Sequence, residues 1–493
     1  MCPAKRMDHE QSRHPDIITQ HAIGAFVGSA VGDALGAPFE FDAPGLYSRR
    51  HPAPRLTGTA EMTGGGGFGW KPGEFTDDTD MAVALGESLA THHQLVPADL
   101  WKRWRAWATA AKDIGILTRI ALESSFHDGA AEIAERRNHG RSAGNGSLMR
   151  NTPVPLSMLH ASDDERWSLA VAQSALTHRD PDAGVGCGIH SLVVSDAVLG
   201  RNPLDGIDRS LDRLTGETRK RWSDLLSRDW QPDRAAHPNG TVWTCLAQAV
   251  WAVRGASSFR EALIRAIDLG GDTDTVACVT GSIAGAIWGI QSIPSRWTTY
   301  LHGTVQTPDG PRAYRNVDMQ DLARRLLRLP PVKAAYQDEP AGPTRVCDEV
   351  PLHAADWAGA RAAPATWVIV SACRTNADFH QHPVRREVFL IDQYEESSNH
   401  DAVTALEDAV DSIDAFLAED PSRGVVVHCH GGRSRTAFIL KAWAMRRHGF
   451  DEERAHAWLV KRWPRAHRDN PVFLRILREE WPRRSRARQA DSE

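Results

Sequence analysis

Val425–Thr436 reads VVVHCHGGRSRT, a β-branched run that breaks into a glycine-bearing loop and opens into a helical stretch. Cys429 and Arg435 bracket five residues, Gly431 and Gly432 among them. Strand, loop and helix in that order turn backbone N–H groups and the positive end of a helix dipole onto one phosphate-sized space. Both features favour thiolate over thiol, so Cys429 is expected to ionise near neutral pH. Arg435 can grip two oxygens of an anion at once, and Thr436 can donate a hydrogen bond to the sulfur. The plainer alternative is a structural cysteine at a coincidental spacing.

Around this loop, strands alternate with helices. Thr366–Ser371 (TWVIVS), Val388–Ile391 (VFLI) and Val425–His428 read as short buried strands. Helical spacing follows over 402–417, 436–446 and 452–463. The pattern predicts a small α/β sheet domain over 347–482, with a solvated basic tail over 483–493. Upstream lies LPPVKAAYQDEPAGP (Leu329–Pro343), proline-rich and polar, which places a linker at 329–346. Residues 17–328 show apolar residues at helical spacing and no convincing alternating strand, and are read as an all-α bundle. The chain is thus multidomain, with two catalytic modules in tandem.

Its 493 residues allow two or three domains, each with its own core. A net charge of −5 gives no global electrostatic case for nucleic acid or an anionic membrane. Seven scattered cysteines without a CxxC pair predict reduced thiols in a cytosolic setting. The first residues lack the apolar core of a secretion signal, and the longest apolar-looking run, Val276–Ile290, falls short of a bilayer. No membrane is expected.

Two helical stretches carry glycine at every fourth position: Gly24, Gly28, Gly32 and Gly36, then Gly281, Gly285 and Gly289. Glycine weakens a helix, so a stripe of it predicts close backbone packing. Both stretches adjoin acidic motifs, TDDTD (Thr76–Asp80) and GGDTDT (Gly270–Thr275). Carboxylates so crowded repel, and a divalent cation relieves the repulsion. Hard oxygen ligands favour Mg²⁺, with Mn²⁺ as the alternative, over zinc. Helix N-capping by Thr and Asp is the competing explanation.

With GAFVGSAVGDALGAPFEF (Gly24–Phe41), FTDDTDM (Phe75–Met81), DIGILT (Asp113–Thr118), GNGSLMR (Gly144–Arg150), THRDP (Thr177–Pro181) and GGDTDTVACVTGSIAGAIWG (Gly270–Gly289), the first module resembles the ADP-ribosylglycohydrolases. The resemblance implies an all-α fold with two divalent ions at the bottom of an ADP-ribose cleft. Thr76, Asp77, Asp78, Asp272, Asp274 and Thr275 match the ligand positions. Glu40 matches a mobile-loop glutamate and Asp113 a catalytic aspartate. Gly115, Asn145, Gly146, Ser147 and His178 match the lining of the pocket. The implied partner is an ADP-ribosylated macromolecule or an ADP-ribose derivative.

The second module is similar to the cysteine-dependent tyrosine and dual-specificity phosphatases, whose HCxxGxxR-S/T signature is met by His428, Cys429, Gly432, Arg435 and Thr436. The likeness runs on to RAHRDNPVFL (Arg465–Leu474) and implies a phosphate monoester substrate. Such enzymes use an aspartate upstream of the cysteine as general acid. Asp392 stands in the matching place, with Glu395, Glu396 and Asp401 as rivals. A bifunctional hydrolase is expected; the other reading is a regulatory protein that binds ADP-ribose or phosphate with one active module. Tethering suggests that the modules serve linked substrates. Trp101, Trp104 and Trp107 share helical spacing and are read as packing residues.

Overall fold

The computed structural model describes residues 13–332, 339–375 and 378–490, with side chains to 486. Part of the predicted linker (333–338) and the end of the predicted tail therefore lie outside the described residues.

The first domain is built on helix α1 (Pro15–Gly36), entered through a proline in its first turn and buried on all sides from Gln20 onward. Helix α2 (Asp77–His92) follows, N-capped by Thr76. Helix α3 (Pro97–Ala108) buries Trp101, Trp104 and Trp107 on one face; Arg150 lies 3.9 Å over the Trp104 ring. These tryptophans pack the core, as their spacing predicts. Helices α4 (Pro181–Leu199), α5 (Val242–Arg254) and α6 (Thr273–Trp288) complete the centre.

The glycine stripes meet. A β-carbon on Gly24 would stand 2.5 Å from the Gly285 carbonyl oxygen, and one on Gly28 2.5 Å from that of Gly281. Thus α1 and α6 lie backbone to backbone. Their contact also sets the site, because a β-carbon on Gly36 would stand 2.7 Å from Asp274 Cα. Helices α1 and α4, rather than the run at Val276–Ile290, are long and apolar enough to cross a membrane, yet both lie buried within the bundle.

The all-α expectation needs one correction. Strands β1 (His302–Thr307) and β2 (Gly310–Arg315) form an antiparallel hairpin. Its turn residues, Thr307-Pro308-Asp309-Gly310, carry the chemistry of a reverse turn. The short strands alternate too weakly to stand out beside long helices. Helix α7 (Asn316–Leu326) closes the domain.

The second domain holds a five-stranded sheet in the order β3-β4-β7-β5-β6. Its members are β3 (Thr344–Arg345), β4 (Leu352–Ala355), β5 (Val368–Ser371), β6 (Arg385–Glu387) and β7 (Val425–His428). Only β3 runs antiparallel to its neighbour. Helices α8 (Trp357–Arg361), α9 (Ala402–Glu419) and α10 (Ser434–His448) accompany it. Val425, Val427, Val368 and Val370 pack with residues of α9 and α10. Val426 and Ile369 face the other way, against Ala360 and Phe379. Burial on both faces explains why these strands read as unbroken apolar runs. The strand predicted at Val388–Ile391 is displaced: the ladder ends at Glu387, and Val388 and Leu390 are buried by packing instead.

The domains share a polar, buried seam. Arg386 on β6 is fully buried and donates from Nη2 to the Leu56 carbonyl at 2.6 Å and from Nη1 to that of Gly58 at 3.2 Å. Thr299 Oγ1 accepts the Glu387 N–H at 2.9 Å. The first domain therefore covers the open edge of the sheet, which would otherwise present unpaired backbone groups.

Candidate active sites

At the first site, the end of α1 and the starts of α2 and α6 converge. Asp33, inside α1 and fully buried, accepts the Thr76 N–H on both oxygens at 3.0 and 3.1 Å and the Thr79 hydroxyl at 2.5 Å. It braces the turn that presents Asp77 and Asp78. Gly270 and Gly271 both have positive φ, a conformation glycine adopts without strain. Asn239 clasps this turn, donating to the Gly270 carbonyl at 2.8 Å and accepting the Asp272 N–H at 3.0 Å. The Phe41 N–H donates to the Gly271 carbonyl at 2.7 Å, which draws Glu40 to the same place.

The two acidic motifs come together with Glu40. Carboxylate oxygens of Glu40, Asp272 and Asp274 lie within 4.8 Å of one another. Thr275 Oγ1 donates to Asp78 Oδ1 at 3.3 Å, while Asp78 Oδ2 is buried with no hydrogen-bond partner. Burial, together with the neighbouring acids, pushes Asp77, Asp78 and Asp274 well above the usual carboxylate range. The same causes push Glu40 up to about 8. Asp113 is raised by burial and by Asp272, against the opposing influence of the Ile114 N–H. The Gly115 N–H beside Asp77 acts against the rise of that carboxyl. The donor set is all oxygen, dense in negative charge, with one oxygen left orphaned: it fits a divalent cation.

The remaining predicted residues surround this cluster at different depths. Asn145 Nδ2 donates to Asp272 Oδ2 at 2.8 Å. Ser147 is fully buried and accepts the Ser174 hydroxyl at 2.7 Å, deep in the bundle. His178 lies beneath the 144–146 loop; a β-carbon on Gly146 would meet its ring at 3.2 Å. Burial and Arg150 push His178 down to about 3, so it is neutral. Asp33 and Asn239 escaped the reading of the sequence. Asp33 had a signal, a lone carboxylate amid the apolar residues of a glycine-striped helix; Asn239 had none.

At the second site, β7 ends at His428 and α10 starts at Ser434. Between them lies the loop, buried at Cys429. Thr436 Oγ1 donates to Cys429 Sγ at 3.2 Å. Gly432 has φ +63°, and a β-carbon there would meet the Ala355 carbonyl oxygen at 2.8 Å; Gly431 precedes it, buried. Trp463 Nε1 donates to the Gly432 carbonyl at 2.6 Å and pins the turn. His428 lies 2.7 Å from Ser371 Oγ and is pushed down to about 3 by burial. Arg435 Nη1 donates to the Leu390 carbonyl at 3.3 Å, and its Nε stands 3.8 Å from Asp392 Oδ2. Of the rival acids, Glu396 pairs with Arg475 at 2.8 Å and Asp401 accepts the Thr404 hydroxyl at 2.8 Å.

A family model described as ADP-ribosylglycohydrolase matches residues 14–336, more than half of the chain. The chain is 33% identical over 291 residues to the ADP-ribosyl-(dinitrogen reductase) glycohydrolase of Rhodospirillum rubrum, covering 59% of this chain and 92% of that one. It is 30% identical over 296 residues to the ADP-ribosylarginine hydrolase Tri1 of Serratia proteamaculans, covering 57% and 75%. The solved structure of human DUSP28 aligns with 30% of this chain and 97% of its own, at 22% identity and a TM-score of 0.25. That last likeness is too low to carry the reading of the second domain.

Proposed function

The chain belongs to the ADP-ribosylglycohydrolase family through residues 14–336, and on that premise we propose a bifunctional hydrolase. The first domain releases ADP-ribose from a conjugate by a metal-dependent route; the second hydrolyses a phosphate monoester through Cys429. The first half is supported above all by the meeting of Glu40, Asp272 and Asp274 within 4.8 Å beside the orphaned Asp78 Oδ2.

Thr76, Asp77, Asp78, Asp272, Asp274 and Thr275 would hold two divalent ions, Mg²⁺ first and Mn²⁺ second. Bound there, such ions orient ribose hydroxyls and polarise a water. The protein supplies the rest. Asp33 and Asn239 fix the two ligand-bearing turns through backbone N–H groups. Glu40 and Asp113 stand at the same cluster, and a carboxylate there can pass a proton between water and the departing group. Gly115, Asn145, Gly146, Ser147 and His178 form or support the wall of the ADP-ribose cleft. An arginine-linked conjugate is the first to test, since one relative is named an ADP-ribosylarginine hydrolase.

In the second domain Cys429 Sγ attacks phosphorus, and the S–P bond forms as the P–O bond to the leaving group breaks. Asp392 gives its proton to the departing oxygen. Water then gives a proton back to Asp392 as its oxygen attacks phosphorus, the S–P bond breaks, and phosphate and the Cys429 thiolate are released. Arg435 and the loop N–H groups from Gly431 onward hold the phosphoryl oxygens, Thr436 stabilises the sulfur, and neutral His428 ties the loop to β5. A reducing cytosol suits the free thiol.

The two halves are tested apart in the full chain. Asp272→Asn with Asp274→Asn should abolish Mg²⁺-dependent ADP-ribose release and spare hydrolysis of p-nitrophenyl phosphate. Cys429→Ser should do the reverse. Release of ADP-ribose at wild-type rate by the double variant would refute the metal assignment.

A further inference from the structure

Residues 389–401, which carry Asp392, are fastened to the first domain. Gln291 is buried in the turn after α6. Its Oε1 accepts the Asp401 N–H at 2.8 Å, and its Nε2 donates to the Phe389 carbonyl and to Asn399 Oδ1, each at 3.4 Å. Asn399 in turn clasps Ile391, accepting its N–H at 3.1 Å and donating to its carbonyl at 2.7 Å. Ile391 is the residue before Asp392. From α1, Gln20 donates to the Ser397 carbonyl at 2.9 Å, and Asp16 Oδ2 lies 3.0 Å from Ser398 Oγ. The second domain adds Asn470, whose Nδ2 reaches the Gln393 carbonyl at 3.0 Å.

We propose that the first domain positions the general acid of the second, with Gln291 as the positioning residue. The inference rests on the reading of Asp392 as that acid. The physical need is clear. A general acid works only within hydrogen-bond reach of the leaving oxygen, and a misplacement of about 1 Å can cost on the order of a hundredfold in rate. The chain from 389 to 401 has only a short 3₁₀ turn, Glu396–Asn399, of its own. Its ends are tied together by one side chain that belongs to the other domain. Asp392 is thus held beside Arg435 from two sides, by Asn470 Nδ2 on its own Oδ1 at 3.4 Å and by a bracket that runs from Gln291 through Asn399 to Ile391.

The test uses the full chain and two substrates that differ in their need for a proton. Phenyl phosphate leaves as a strongly basic oxygen; p-nitrophenyl phosphate leaves well unaided. Gln291→Met keeps side-chain bulk and removes the bracket. It should lower kcat for phenyl phosphate about tenfold or more, part of the 10²–10⁴ that a general acid supplies, and kcat for p-nitrophenyl phosphate by less than about threefold. ADP-ribose release should be unchanged. Gln20→Ala, which removes the tie to the Ser397 carbonyl, should show the same asymmetry at smaller size, and serves if Gln291→Met is insoluble. Equal losses on both substrates, or no loss, overturn the inference. Asp392→Asn is the control. If it shows the asymmetry and Gln291→Met does not, the positioning role alone falls. If Asp392→Asn shows none, or the wild type turns over neither substrate, the reading of this domain falls and takes the inference with it.

Discussion

Asp33 receives the Thr76 N–H on both of its carboxylate oxygens, at 3.0 and 3.1 Å, from within the buried stretch of α1. The pair joins the last turns of α1 to the first turn of α2 and so fixes where Asp77 and Asp78 point. In Asp33→Asn one of the two acceptors becomes a donor, which faces an N–H it cannot serve. Affinity for Mn²⁺ should fall by about 10–100-fold, the usual cost of losing an outer-shell partner. Calorimetric titration measures it, and unchanged affinity would remove Asp33 from the scaffold of the site.

The helix contact leaves no room for a methyl group. A β-carbon on Gly32 would stand 2.0 Å from the Ala277 carbonyl oxygen, with backbone on both sides of the clash. Gly32→Ala should destabilise the protein by about 1–3 kcal/mol or more. Gly67, with nothing within 4 Å of its added β-carbon, is the control; Gly67→Ala should stay within about 0.5 kcal/mol of wild type. Denaturant melts of the two variants decide it, and equal stability would contradict the packing account.

Arg386 should make the domains melt together. Its hydrogen bonds to Leu56 and Gly58 are charge-assisted, and each such bond contributes about 1.5–3 kcal/mol. We expect one calorimetric transition for the wild type and two for Arg386→Met. A single transition in the variant would count against the seam as a unit of stability.

His190 offers a pH test away from both sites. It is fully buried and pushed down to about 3 by that burial, with Nδ1 3.1 Å from Asn151 Nδ2. The unfolded chain binds this proton below about 6.5 and the folded chain does not. Its contribution to stability is therefore complete above that pH and is lost as pH falls towards about 3. His190→Gln should flatten the fall in stability on acidification by up to about 1.4 kcal/mol per pH unit. Urea melts at pH 7.5 and 5.5 should show parallel losses in both proteins if the assignment is wrong.

The sequence exposed what local chemistry can encode. The two acidic motifs, the glycine stripes and the Cys429–Arg435 loop each draw meaning from neighbours a few residues away. Asp33, Asn239 and Gln291 do not. Each is an ordinary polar residue whose role is a hydrogen bond to a distant turn, and no periodicity announces it. The β1–β2 hairpin hid for a different reason, since its strands are short and lie among helices whose apolar spacing dominates the window. The strand at 385–387 hid because its central residue, Arg386, is a charge buried by another domain, where an edge strand would ordinarily show an exposed one.

The paired rods α1 and α6 run from the acidic cluster at one end to the clasp on residues 389–401 at the other. The 22 residues of α1 measure about 33 Å. A molecule the size of one nucleotide sugar cannot bridge that span. On the proposed function, a product shared by the two chemistries would have a helix length to travel, and what the paired helices carry from one end to the other is stiffness.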